Sequence, residues 1–212
     1  MRERQKGLEA LLQQAPVVPV LVIDNVADAV PLARALVAGG LPVLEITLRT
    51  KAAPDCIRAI RAEVKDAVVG SGTVLDAASL KLSEELGCAF AVSPGATPSL
   101  IAAAAASATP LLPAARSPSE TMLLLEHGYA LQKFFPAEQS GGAAYLSALT
   151  SPLPQVRFCP TGGITAEIAP SYLKLSNVIT VGGSWMAPKS LVASKDWAAI
   201  TKLAAAAARL KA

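Results

Sequence analysis

Leu44-Glu45-Ile46-Thr47-Leu48-Arg49-Thr50 sets a carboxylate, a hydroxyl and a guanidinium at alternate positions of an aliphatic run. Side chains of a strand alternate between its two faces, so Glu45, Thr47 and Arg49 share one side and Leu44, Ile46 and Leu48 the other. The aliphatic side needs a layer of helices. In a closed sheet the polar side then faces inward, where charged groups need a reason to be. Two reasons are open. Glu45 and Arg49 are a structural ion pair near a rim, or they are a proton carrier and a clamp for a substrate carboxylate.

Similar apolar runs flank this one along the whole chain. They fall at 17–23, 43–48, 67–72, 90–93, 110–113, 131–135, 157–160 and 179–181. Between them lie helical stretches such as 53–64, 77–86, 99–107, 119–127 and 166–175. The spacing of roughly twenty to twenty-six residues suits a compact βα unit. Gly39-Gly40, Gly87 and Gly128 stand where helices should stop, and Pro31 either sits in the first turn of its helix or kinks it. Segments 2–14 and 196–210 read as a leading helix and a last helix. Eight such units predict an α/β fold, a single (β/α)8 TIM barrel over residues 1–212 with an additional N-terminal helix. A doubly wound open sheet is the alternative, but it usually has fewer strands.

Composition narrows the function classes. The 212 residues are 52% hydrophobic but only 4% aromatic, so the core is built from Val, Leu, Ile and Ala. The net charge of +3 is small and its basic residues are scattered, which argues against nucleic acid and stays compatible with small anions. No apolar run reaches membrane-spanning length, so no membrane partner is expected. Cys56, Cys88 and Cys159 are odd in number and far apart, which suggests reduced thiols in a cytoplasm. A single histidine, His127, beside Gly128, reads as a helix-end residue and leaves no obvious metal site.

The run Leu131-Gln132-Lys133-Phe134-Phe135-Pro136-Ala137-Glu138 buries a cation inside an apolar strand. A buried ammonium costs several kcal/mol unless it is paired or loses its proton. A neutral lysine amine is a nucleophile that forms a Schiff base with carbonyl compounds. The bland alternative is a strand-end lysine whose head reaches water.

In a barrel, chemistry gathers at the carboxyl ends of the strands. Gly70-Ser71-Gly72-Thr73 and Ser93-Pro94-Gly95 are small enough for a ligand to approach the backbone, or simply for tight turns. Thr161-Gly162-Gly163 and Gly182-Gly183-Ser184 end the last two strands. Free N–H groups at such places, with a helix N-terminus, bind phosphate.

Taken together, these segments resemble the family of 2-keto-3-deoxy-6-phosphogluconate (KDPG) and 4-hydroxy-2-oxoglutarate (KHG) aldolases, class I Schiff-base enzymes. The likeness covers nearly the whole chain, including Pro19-Val20, 44–49, 70–73, 93–95, 133–138, 157–163 and Gly182-Gly183-Ser184-Trp185. It implies a homotrimer and cleavage of a phosphorylated 2-keto acid to pyruvate and glyceraldehyde 3-phosphate, without cofactor or metal. By position, Lys133 would be the Schiff-base residue and Glu45 the acid/base. Arg49 and Thr73 would hold the pyruvyl carboxylate, Gly162, Gly163 and Ser184 the phosphate, while Phe135 and Thr161 would line the pocket. One stretch departs from the family pattern: Pro113-Ala114-Ala115-Arg116-Ser117 stands where a glycine and small residues are usual. Arg116 either adds a cation at the aldehyde end or points to water. Neighbouring readings are an aldolase for the galactonate epimer or another 2-keto-4-hydroxy acid, an oxaloacetate decarboxylase, a barrel isomerase or synthase, and a non-catalytic barrel that binds a phosphometabolite.

Overall fold

Parallel strand pairing runs through the computed structural model, which describes residues 2–210. Helix α1 (Arg2–Leu12) leads to β1 (Val17–Leu21), α2 (Val26–Ala38), β2 (Val43–Thr47), α3 (Ala53–Glu63), β3 (Val68–Gly72) and α4 (Ala77–Glu85). Then follow β4 (Ala91–Val92), α5 (Pro98–Ala106), β5 (Leu111–Leu112), β6 (Ala114–Ala115), α6 (Pro118–Glu126) and β7 (Leu131–Phe134). A 3₁₀ turn (Glu138–Ser140), α7 (Gly142–Leu149), β8 (Arg157–Pro160), α8 (Ala169–Leu173), β9 (Val181–Gly183), α9 (Lys189–Ala193) and α10 (Trp197–Ala208) complete the chain. The fold is α/β. Six strands form a curled parallel sheet in the order β5-β4-β3-β2-β1-β9, and β6-β7-β8 form a second parallel sheet. Single parallel bridges join Phe158 to Val178 and Thr161 to Gly182.

Alternation along the strands divides the core in two. Leu44 and Ile46 of β2 pack with Ala33 and Leu36 of α2, Ile57 and Ile60 of α3, and Ala204 of α10. Val18, Val43, Phe90, Val92, Leu112, Leu131, Cys159 and Ile179 face the opposite way and form a separate cluster with Leu8 and Leu12 of α1. Helix α1 therefore seals the amino ends of the strands. Burying a leucine side chain stabilises by about 1.5–3 kcal/mol, and Leu8 and Leu12 are at most 1% exposed. From the same helix the buried Gln5 donates from Nε2 to the Leu111 carbonyl and accepts at Oε1 from the Leu131 N–H, both at 3.2 Å. One amide thus satisfies the first residue of β5 and of β7.

Several boundaries differ from those read in the sequence. The strand expected at 110–113 is interrupted at Pro113, which has no N–H to give a ladder; its carbonyl instead accepts from Lys133 N at 2.9 Å. The last strand lies at Val181–Gly183 rather than 179–181, so its glycines belong to the sheet. Pro31 lies past the first turn of α2, whose N-cap is Asn25, and so leaves the Ala27 carbonyl without its helical donor. Helix α8 is half the length expected. Helix α7 begins at Gly142, the second glycine of a Gly-Gly pair. His127 caps the C-terminus of α6.

Candidate active site

Strands β2 and β7 carry Glu45 and Lys133 to one point. Glu45 lies opposite Val20 and Gly70, and Lys133 opposite Ala114 and Cys159. Lys133 Nζ donates to Glu45 Oε1 at 3.4 Å, with side chains only 6% and 5% exposed. A fully engaged ammonium–carboxylate bond measures about 2.7–2.9 Å, so this contact is a loose one. Taking both charges out of water costs several kcal/mol, which the mutual attraction has to offset. The Phe135 ring lies with its centroid 5.3 Å from Nζ, within cation–π range. Beneath the pair, burial pushes the Cys159 thiol up to about 12, with Lys133 pulling it down and Glu45 pushing it up. That thiol is inert at neutral pH.

Gly72 exists for the carboxylate. A Cβ there would stand 2.2 Å from Glu45 Oε1, and one at Gly70 would stand 2.3 Å from the Phe90 ring. These small residues make room for side chains of the protein itself, where the sequence suggested ligand approach or turns. Just beyond, Thr73 holds φ at +58°, a left-handed conformation that costs a non-glycine residue energy and concentrates at functional sites. Its Oγ1 accepts from Arg49 Nε at 2.8 Å. The outer N–H groups of that exposed guanidinium make no hydrogen bond among the described residues, leaving a planar fork free for a carboxylate.

The third part of the site is a turn. Gly162 and Gly163 have φ of +106° and +77°, which a side chain adopts only with strain. The carbonyls of Thr161 and Gly162 accept from Ala137 N (2.8 Å) and Glu138 N (3.1 Å). Thr161 also bridges Gly182, whose missing Cβ leaves room for Thr161 Oγ1. Gly183 likewise yields space to the Trp185 ring. The second Gly-Gly pair therefore lies in β9, where it yields space to neighbouring side chains and also lines the cavity that holds Lys133, while the first is a turn.

A cavity of about 200 Å³ joins these parts. Lys133, Arg49, Phe135, Thr161, Gly162, Gly163 and Ser184 line it, seven of the nine site residues expected from sequence. The other two touch its lining, Glu45 through Lys133 and Thr73 through Arg49. Val20, Val22, Ile164, Gly182 and Gly183 complete the wall; of these, Val22 is an ordinary aliphatic that carried no signal in the sequence. A larger cavity of about 520 Å³ beside β1 and α9 shares Val20, Val22 and Ser184; its Lys189, Asp24 and Asp28 form no ion pair among the described residues. Arg116 is exposed and lines a different cleft, with Glu120 and Leu123.

Such an arrangement can attack a carbonyl with an amine, move protons through the adjacent carboxylate, hold one anionic end at Arg49 and another at the 162–163 turn. Among the described residues no three His, Cys, Asp or Glu side chains converge as a metal site, and no helix is long and apolar enough to cross a membrane.

Comparison with known proteins points the same way. A family model described as KDPG and KHG aldolase matches residues 8–203. A 2-dehydro-3-deoxy-phosphogluconate aldolase of Pseudoalteromonas atlantica is 50% identical over 194 residues, 92% of this chain and 90% of its own. The Zymomonas mobilis 2-keto-3-deoxy-6-phosphogluconate aldolase, solved with 3-phosphoglycerate, superposes with a TM-score of 0.93 at 48% identity, covering 98% of this chain and 97% of that one. A KDPG aldolase from Legionella pneumophila, with pyruvate captured as a covalent carbinolamine intermediate, superposes with a TM-score of 0.92 at 42% identity, covering 94% and 97%.

Proposed function

The chain belongs to the KDPG and KHG aldolase family, and on that premise we propose that it cleaves 2-keto-3-deoxy-6-phosphogluconate to pyruvate and glyceraldehyde 3-phosphate as a metal-independent class I aldolase. The same chemistry cleaves 4-hydroxy-2-oxoglutarate to pyruvate and glyoxylate. The observation that carries this reading is the buried amine of Lys133, 3.4 Å from Glu45, in a cavity with the Arg49 guanidinium at one end and a glycine turn at the other.

The chemistry follows from those groups. Lys133 Nζ, having passed a proton to Glu45, attacks the C2 ketone while Arg49 and Thr73 hold the C1 carboxylate. The carbinolamine loses water, with Glu45 returning a proton to the departing hydroxyl. The resulting protonated imine is an electron sink. Glu45, directly or through water, accepts the C4 hydroxyl proton; the C3–C4 bond breaks, the aldehyde leaves and an enamine remains. Protonation at C3 and hydrolysis of the imine release pyruvate and the free amine. Phe135 and Thr161 shape the pocket, and Gly162, Gly163 and Ser184 receive the phosphate on backbone N–H groups and a hydroxyl.

Further parts of the reading rest on other support. Closure of the two sheets into one (β/α)8 barrel spanning residues 1–212, with α1 as an additional N-terminal helix, is supported by the Thr161–Gly182 and Phe158–Val178 bridges. It is supported too by the immediate succession of β5 and β6 around Pro113. Three buried free cysteines favour a reducing, cytoplasmic setting. A homotrimer is implied by the family resemblance.

The deciding experiment is borohydride reduction in the presence of pyruvate. A reduced pyruvyl adduct is expected on Lys133; no mass gain, or an adduct on another residue, removes the mechanism. Relative kcat/KM on the phosphorylated and unphosphorylated substrates then sets the physiological preference.

A further inference from the structure

The 162–163 turn does not hold its own shape; it is held from behind. In a trans peptide the C=O and N–H point in opposite directions, and Phe135–Pro136 is the one cis bond among the described residues. The carbonyls of Thr161 and Gly162 are committed to Ala137 N and Glu138 N. The N–H groups of Gly162 and Gly163, in those same two peptide planes, are therefore turned away from the 137–138 segment. They make no hydrogen bond among the described residues, and both glycines line the cavity that contains Lys133. The orientation of these two donors is thus dictated by the position of residues 137–138.

That position is set by the backbone hydrogen bonds of the 3₁₀ turn and, at the Glu138 side chain, by one residue of α8. Tyr172 is fully buried, and its hydroxyl donates to Glu138 Oε1. A buried phenol needs such a partner. Burial and the Glu138 carboxylate together hold its titration far above the ordinary range, so it stays a donor. Gly163 packs directly on the Glu138 stem, where a Cβ would come within 2.9 Å of Glu138 Cβ and Cγ. Glu138 itself is absent from the cavity wall.

We propose that Glu138 and Tyr172 form a latch that positions the Gly162 and Gly163 amides for the substrate phosphate and holds the Glu138 charge back from that dianion. The inference rests on the aldolase reading and names positioning residues, neither of which touches substrate. It predicts an effect confined to the phosphorylated end of the substrate.

The test is steady-state kinetics on both substrates. Tyr172→Phe should raise KM for the phosphorylated substrate about three- to tenfold, as expected for one lost hydrogen bond and a released charge. Its kcat, and its KM for 4-hydroxy-2-oxoglutarate, should stay near wild type. Glu138→Gln keeps an acceptor for the phenol and removes the charge, so its KM should equal or fall below wild type. Adding Glu138→Gln to Tyr172→Phe should recover part of the loss. The latch is overturned if Tyr172→Phe raises both KM values equally, or lowers kcat on both substrates while their KM ratio stays at wild type. If the wild-type protein forms no imine and cleaves neither substrate, the aldolase reading fails on its own. Inorganic phosphate binding, followed by the Gly162 and Gly163 amide resonances, then reports on the latch, and equal affinity in wild type and Tyr172→Phe overturns it.

Discussion

The two ends of the strands obey opposite rules. At the amino ends, α1 covers Val18, Val43, Leu131 and Ile179 with Leu8 and Leu12, and its Gln5 leaves neither of its amide groups idle. At the carboxyl ends, charges are buried in a loose pair, a threonine is held in a left-handed conformation, and the Gly162 and Gly163 donors have no acceptor among the described residues. The first end favours apolar burial and pairs the Gln5 amide at both of its groups. The second gives up part of both, and Lys133, Arg49, Gly162 and Gly163 line one cavity there. Stability and chemistry are thereby assigned to separate ends of the same strands.

The sharpest way to break this division is Lys133→Met. Turnover should fall on the order of 10⁴-fold or more in a pyruvate-release assay, because no nucleophile remains. Glu45 would be left as a lone buried carboxylate, so the melting temperature should fall too. The double variant Lys133→Met/Glu45→Gln should melt no lower than wild type while staying inactive, since replacing a buried ion pair with neutral groups is often neutral or stabilising. Recovery of activity in either variant would refute the assignment.

The mirror experiment is Leu12→Ala. A side chain 1% exposed in the α1 seal should cost about 2–5 kcal/mol of stability in denaturant unfolding. The kcat per folded molecule should be unchanged. A comparable fall in kcat would mean that the two ends are coupled.

Gly72→Ala brings the comparison to a single methyl group. The new Cβ would overlap Glu45 Oε1 unless the carboxylate moved, and misplacement by about 1 Å can cost on the order of 10²-fold in rate. Near-normal kcat would show that Glu45 needs no fixed place. The smallest effect is expected at Glu120, which caps α6 just past β6 and lines a cleft other than the one that holds Lys133. Partial burial raises its carboxyl, but hydrogen bonds from the Arg116 and Ser117 N–H groups and the Ser117 hydroxyl outweigh that, and it titrates below its ordinary value. A depressed folded value contributes stability above the unfolded one, lost as pH falls through the folded one. Glu120→Gln should therefore cost less than about 1 kcal/mol at neutral pH. The gap in melting temperature should close as the solution is acidified.

Much of this was readable because strands announce themselves by short β-branched runs. Strand β2 is the best case: its alternation alone separated Leu44 and Ile46, which face α2 and α3, from Glu45, whose Oε1 meets Lys133. The proximity of Glu45 and Lys133, 88 residues apart, followed only once the strands were imagined side by side in a closed ring. What the strand-end glycines make room for was not readable, because a sequence cannot say which neighbour claims the space. Gly72 yields it to Glu45, Gly182 to Thr161 and Gly183 to Trp185. Tyr172 carried no signal, since its partner lies 34 residues upstream on a different element. The break at Pro113 was visible as a residue but not as a gap in the ladder.

The Gln5 contacts bear on how the molecule is made. Helix α1 is made before the strands it seals, yet its Gln5 amide meets residues 106 and 126 positions later, and β1 pairs with the late strand β9. During synthesis a valine-rich strand edge and a greasy helix must therefore wait for most of the polypeptide to arrive. Such edges pair readily with other chains. Slow codons or chaperone shortage should be felt first as insoluble product.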